Sequence, residues 1–146
     1  MIKEFAFGLS RRHYFQESNK IVEWMGLDSN TFMSLYDYDD EVKDYFAKKK
    51  TLSGYTGKIY MPDEFILDID GSNIDDAYDK TEKLTKLLDS LKVLYHIYFS
   101  GTGFHLHISS KAFRWKPDAN LHSRVKKILG DYKIWEHADP SVTDKT

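Results

Sequence analysis

Between residues 64 and 109 the apolar spacing changes twice, from a period of two to a helical period and back again. Phe65-Ile66-Leu67 runs into Asp68-Ile69-Asp70-Gly71, and Phe104, Leu106 and Ile108 alternate with His105 and His107. Between them, Ile74, Ala77/Tyr78, Leu84, Leu87/Leu88 and Leu91 recur at helical spacing. Asn73 is suited to cap that helix, with Asp75 and Asp76 at its positive end. The segment therefore predicts strand, long amphipathic helix, strand over 94–99, a tight glycine loop and a final strand. A helix of this length between strands predicts a parallel, right-handed crossover.

Each strand end delivers polar residues that stability alone does not demand. Side chains alternate along a strand, so Asp68 and Asp70 share a face. Two carboxylates that close repel, and a divalent cation such as Mg²⁺ relieves the repulsion with hard oxygen ligands. An EF-hand loop does not fit, because its sixth and twelfth positions would be Asn73 and Asp79 instead of Gly and Glu. Ser100-Gly101-Thr102-Gly103 lacks the lysine of a phosphate-binding P-loop and opens a strand instead of a helix. Its backbone N–H groups, two hydroxyls and the His105 imidazole can nevertheless face an anion. A plain hairpin turn is the alternative. His105 and His107 share the polar face of their strand, but no further His or Cys nearby completes a zinc set. His13, His96, His122 and His137 are scattered and read as surface or packing residues.

Elsewhere, residues 2–7 read as a strand and Ser18 as the cap of a helix through about Met25, closed by Gly26. A helix over 42–50 ends in three lysines. Residues 55–60 read as a strand, turned by Met61-Pro62-Asp63 into an antiparallel pairing with the 64–70 strand. Pro117 precedes a helix whose buried stripe is Leu121, Val125, Ile128 and Leu129, ending at Gly130. The fold class is α+β, a mixed sheet with flanking helices, whose order from residue 55 is close to a ferredoxin-like or RNA-recognition-type sheet.

With 146 residues, 41% hydrophobic, the chain suits one domain with a substantial core. It contains no cysteine, which excludes disulfides, thiolate zinc sites and thiol nucleophiles. No apolar run has the length of a membrane span or signal peptide, so the expectation is a soluble intracellular protein, in cytoplasm or nucleoid, or host cytoplasm if viral. The net charge of −2 hides an asymmetry: residues 63–92 carry nine acids against four bases, and 111–133 seven bases against two acids. An acidic centre beside a basic flank suits a metal site next to an anionic ligand, although two solvated helices of opposite charge read the same way.

In combination, the ILDID strand end, a crossover helix, FSGTGFH and the later ADPSVT resemble the catalytic core of the archaeo-eukaryotic primase superfamily. The KEFAF opening is similar to the R-E-F-x-F start of primase small subunits, with Lys3 in place of arginine. The resemblance spans residues 64–143 and implies a DNA primase or primase-polymerase, a template-dependent nucleotidyltransferase that makes or extends primers. It implies Asp68, Asp70 and Asp139 as catalytic ligands of two Mg²⁺ or Mn²⁺ ions, and Ser100, Gly101, Thr102, Gly103, His105 and, less directly, His107 as nucleotide-binding residues. Arg114, Lys116, Arg124, Lys126 and Lys127 would track template phosphates. The implied partners are single-stranded DNA template and primer, nucleoside triphosphates, and a helicase domain or subunit, with no membrane. Thr102 stands where many members are basic, and the family's basic segment after the third aspartate has no counterpart before Thr146. The expectation is thus a catalytic domain over 1–146 that is an N-terminal fragment of a longer protein, with an α/β part over 1–54 and a motif-bearing core over 55–146. Two other readings stand beside it: a catalytically silent nucleic-acid-binding module, and a phosphoesterase using His105 or His107, since His107-Ile108-Ser109 is similar to half of the two-histidine phosphoesterase signature.

Overall fold

The computed structural model describes residues 1–8, 10–24 and 30–144. The chain is α+β and divides into two compact units, Met1–Tyr60 with Lys116–Leu121, and Met61–Trp115 with His122–Asp144. Among the described residues no helix is long and apolar enough to cross a membrane.

The first unit is built on β1 (Ile2–Phe7), whose residues from Ile2 to Ala6 are all buried. It pairs antiparallel with β2 (Arg11–Glu17), β3 (Thr31–Met33) and β4 (Asp37–Tyr38), and β4 pairs with β5 (Ile59–Tyr60). Helix α1 (Glu41–Lys49) buries Val42 and is stopped at Lys50, whose left-handed φ of 58° returns its N–H to Phe46 O. Aromatic rings fill the unit: Phe15 meets Tyr38 and Phe46, and Tyr55 meets Tyr38 and Tyr45 edge-on. A 3₁₀ helix, Ser18–Trp24, stands where an α-helix is expected, while Met25 and Gly26 lie outside the described residues.

The second unit is a three-stranded sheet in the order β6 (Glu64–Ile69), β8 (Phe104–Ser109), β7 (Tyr95–Phe99). Both pairings with β8 are antiparallel, so β6 and β7 run parallel with β8 between them. The connection is α2 (Ile74–Ser90), capped by Asn73, whose side chain accepts the Asp76 N–H at 2.9 Å. Phe65, Leu67 and Ile69 lie opposite Ile108, Leu106 and Phe104, forming the apolar face of the sheet. Ala77, Thr81, Leu84 and Leu88 are the buried residues of α2, and Thr81 returns its hydroxyl to Ala77 O. Each large aliphatic or aromatic side chain fully buried here is worth about 1.5–3 kcal/mol. In α3 (Leu121–Asp131) the buried positions are Leu121, Val125 and Leu129, with Ile128 half-buried.

Several expectations are corrected. The strand expected over 55–60 contracts to β5, because Tyr55 turns back to Leu52 O and buries its ring. β5 does not pair with β6. Ile59 is occupied by Tyr38 on one side and exchanges both backbone hydrogen bonds with Asp118 on the other, at 3.2 Å. Instead of one mixed sheet there are two, and every pairing among the described residues is antiparallel. Ile74, Tyr78 and Leu91, expected in the buried stripe of α2, are exposed; Tyr78 leans edge-on against Phe104. α3 runs one residue past Gly130. The C-terminal stretch, polar in sequence, buries Ile134, Ala138 and Thr143.

Candidate active site

The end of β6 is where the sequence motifs meet. Alternation turns Phe65, Leu67 and Ile69 inward, so Glu64, Ile66 and Asp68 project from the opposite face with His105 and His107 of β8. Asp68 is directly opposite His105, and its Oδ1 lies 3.3 Å from His105 Nε2. On its other edge, the backbone carbonyl of Asp68 accepts the N–H of Asp139 at 2.8 Å. That bond brings residue 139 to the strand that carries residues 68 and 70. Asp139 also caps the short 3₁₀ helix Pro140–Thr143, its Oδ1 accepting the Ser141 N–H at 2.8 Å.

Asp68 feels both of the other carboxylates. Partial burial, chiefly, and the charge of Asp70 push the Asp68 carboxyl above its ordinary value. His105 pulls the other way, Asp139 adds to the rise, and the Ile69 N–H partly offsets it. A group so placed is less comfortable as an anion than in water, and a cation would relieve it.

Two glycines shape the surroundings. A Cβ on Gly71 would sit 2.4 Å from Ala77 N, so only glycine lets the chain turn from Asp70 into α2 at this closeness. A Cβ on Gly103 would sit 2.3 Å from Ile69 O and 2.9 Å from Asp70 Oδ1. The glycine loop therefore lies directly against the second carboxylate. Inside the loop, Ser100 N–H donates to Gly103 O and Gly103 N–H to Ser100 Oγ, both at 3.0 Å, with Gly101 at a φ of 103°. The Ser100 hydroxyl thus braces the turn. Among the described residues the N–H groups of Gly101 and Thr102, both exposed, have no protein acceptor.

The structure brings together Asp68, Asp70, Asp139, His105 and Gly103. His107 belongs to the neighbouring row: its Nδ1 is 2.9 Å from Glu64 Oε2, and its ring lies 4.5 Å from that of Tyr98. Arg114, Arg124, Lys126 and Lys127 are exposed residues of the second unit, while Lys116 belongs to the first. Lys126 pairs with Asp144 at 2.9 Å and Lys127 with Asp131 at 2.8 Å. Surface pairs of this kind hold a side chain weakly and leave it available to a phosphate.

Three neighbours escape the motif reading. Lys80 places its Nζ 3.0 Å from Asp70 O and 3.1 Å from Asp76 Oδ2, one helical turn from its acidic partner. Its signal in the sequence is only the i,i+4 spacing from Asp76. Glu64 starts β6 on the same face as Asp68, so alternation alone could have placed it near His107. Tyr98 lies opposite His105 by the register of β7 and β8, which no local pattern announces.

The donor set is hard oxygen with one imidazole, which suits Mg²⁺ or Mn²⁺ better than a soft metal. Among the described residues no group of three or more His, Asp or Glu side chains is drawn closely enough together to hold an ion as it stands. The carboxylates fit such a cation in chemical kind. Compared with protein-family models, with curated proteins and with solved structures, the chain matches none.

Proposed function

We propose that this chain carries the catalytic core of a primase-polymerase, a template-dependent nucleotidyltransferase that joins a nucleoside triphosphate to a primer 3′-hydroxyl and releases pyrophosphate. The observation that carries this reading is the Asp139 N–H bond to Asp68 O, which joins a residue 71 positions downstream to the DID strand end. Three carboxylates from two separate motifs then share one strand end with the glycine loop and His105. A purely structural strand would have no use for that concentration of anions.

In this reading Asp68, Asp70 and Asp139 would hold two divalent cations, Mg²⁺ or Mn²⁺. When bound, these would supply neutralising charge at the attacked phosphate and its leaving group. The remaining work is positioning, as in phosphoryl transfer generally. The exposed residues Gly101 and Thr102 would offer their backbone N–H groups to triphosphate oxygens, and Ser100 braces the loop by accepting the Gly103 N–H. His105, held beside Asp68, presents a second donor to the same anion. Lys80, anchored to the Asp70 carbonyl, adds a fixed positive charge at the rim. Arg114, Arg124, Lys126 and Lys127 would meet the phosphates of a single-stranded template and its primer, with salt-sensitive and sequence-independent affinity. A helicase domain or subunit is the natural companion of such an activity.

The test is titration with a nucleoside triphosphate and Mn²⁺, comparing wild type with Asp68→Ala/Asp70→Ala. Metal-dependent binding that disappears in the double variant supports the reading. Binding that survives the substitutions means that the aspartates are structural, and leaves a silent nucleic-acid-binding module as the better description.

A further inference from the structure

The face of the second sheet that bears Asp68 also bears an aromatic pair that the chemistry above leaves unused. Register places Asp68, His105 and Tyr98 in one row across β6, β8 and β7, and Ile66, His107 and His96 in the next. Tyr98 is about half exposed, at 51%, and its ring meets His107 at a centroid distance of 4.5 Å and an angle of 57°. His107 is in turn held by Glu64 at 2.9 Å. The chain Glu64–His107–Tyr98 fixes a large ring on an otherwise polar face instead of turning it inward, where β8 and α2 bury their apolar residues. The other face of β7 carries Tyr95, Ile97 and Phe99, and Ile97 and Phe99 are themselves exposed, so what sets Tyr98 apart is its row with His105 and Asp68 and its contact with His107.

We propose that Tyr98, backed by His107, is a stacking platform for a nucleobase. Strands lie about 4.8 Å apart, so Tyr98 stands roughly 10 Å from Asp68 across His105. That separation is on the scale of a nucleotide, and the glycine loop begins only two residues after Tyr98. A base lying on Tyr98 directs its sugar and phosphate toward His105 and the Gly101–Thr102 amides. His107 is engaged by Glu64 and His105 by Asp68, so the contact reads the flat π surface of any base rather than its edge. The choice of a nucleobase as ligand rests on the nucleotidyltransferase reading; the existence of a preorganised aromatic pair does not. The same chemistry serves the base of an incoming nucleoside triphosphate or of a single strand.

Two ligand pairs separate these sources, each differing only in the base. One compares oligothymidylate with an abasic strand of equal length in EDTA, and the other compares ATP with ribose 5′-triphosphate in Mn²⁺. Wild type should prefer the base-bearing member of at least one pair by roughly tenfold. A preference in the first pair assigns the platform to the single strand, and in the second to the incoming nucleotide. Tyr98→Ala should erase the preference and leave the weaker member's affinity unchanged, while Tyr98→Trp should restore it. A wild type that binds neither pair, or binds both members equally, overturns the proposal, and so does a preference that Tyr98→Ala leaves intact. Asp68→Ala/Asp70→Ala provides the separation from the catalytic reading. It should abolish metal-dependent ATP binding while leaving any strand preference in EDTA in place.

Discussion

Two strands, β1 and β6, each carry a pair of charged residues, and they use them in opposite ways. In β1, Lys3 and Glu4 are buried, at 7% and 2% exposure, and their partners are supplied by the same unit. Lys3 Nζ donates to Ser34 O at 3.2 Å and Leu35 O at 2.8 Å and pairs with Asp37 at 3.4 Å. Glu4 Oε1 accepts the His13 N–H at 3.2 Å and faces the His13 ring at 2.9 Å. At the end of β6, Asp68 and Asp70 just beyond it sit beside a third carboxylate, with His105 as a close counter-group of Asp68. A charge surrounded by fixed donors and acceptors holds a fold together. Carboxylates gathered against one another weaken it and await something from solution. Strand position alone does not distinguish the two cases; the partners do.

The largest expected consequence of that difference is in stability. Lys3→Ala leaves two carbonyls and Asp37 without their cation and should lower unfolding free energy by about 3 kcal/mol, the cost of breaking a buried pair from one side. Asp68→Asn removes a repelled charge and should leave the midpoint of denaturant unfolding unchanged or raised. Losing stability in both, by similar amounts, would erase the contrast between the strands. Lys3 also gives the comparison a pH axis. Burial, against the pull of Asp37, holds its ammonium below the ordinary lysine value of 10.5. The unfolded chain then binds more protons than the folded one in the alkaline window below 10.5, so wild type should gain stability over Lys3→Met as pH rises through it.

A smaller effect separates two glycines of one loop. Gly103→Ala would drive a Cβ to 2.3 Å from Ile69 O and 2.9 Å from Asp70 Oδ1. The strand end must shift, at about 1–3 kcal/mol, and Asp70 must move with it. Gly101→Ala meets no atom within 4 Å and pays only for its φ of 103°. Thermal unfolding combined with metal-dependent nucleotide binding should show both stability and binding impaired in Gly103→Ala. In Gly101→Ala, which leaves Asp70 in place and disturbs only the loop amides, binding should fall less. Equal binding by the two variants would mean that the loop does not hold Asp70 in place.

What the sequence made legible was what is settled within a few residues. The alternation in Phe65–Ile69 and Phe104–Ile108 and the Asn73 cap are local, and each appears as read. What stayed hidden depends on partners far along the chain. The 55–60 segment has strand character, yet Asp118 occupies the edge that β6 was expected to take. β8 inserts between β6 and β7, a choice made by the match of Phe65, Leu67 and Ile69 with Ile108, Leu106 and Phe104 rather than by chain order. The burial of Lys3 and Glu4 is equally nonlocal, because residues 2–7 read only as a strand until neighbours appear on both sides of β1. The Asp68–Asp70 pair was legible in strand alternation, Asp139 entered only through the family resemblance, and the Asp139 N–H bond to the strand was not legible at all.

The start of α2 yields the smallest effect and asks what positions Asp70. Asn73 Oδ1 satisfies the Asp76 N–H, and removing such a cap costs about 1 kcal/mol. Asn73→Ala should lower stability by that amount, and Asn73→Ser should restore most of it. The same helix carries Lys80, whose Nζ reaches the Asp70 carbonyl at 3.0 Å, while the strand holds Asp68 through His105 and Asp139. If the strand alone sets the carboxylates, fraying the first turn of α2 leaves metal-dependent nucleotide binding unchanged once compared at equal folded fraction. A drop in binding beyond the loss of folded protein would instead show that the helix, through Lys80 and the Gly71 turn, fixes Asp70. Isothermal titration of Asn73→Ala with a nucleoside triphosphate and Mn²⁺ at low temperature, where the folded fraction is saturated, decides between the two.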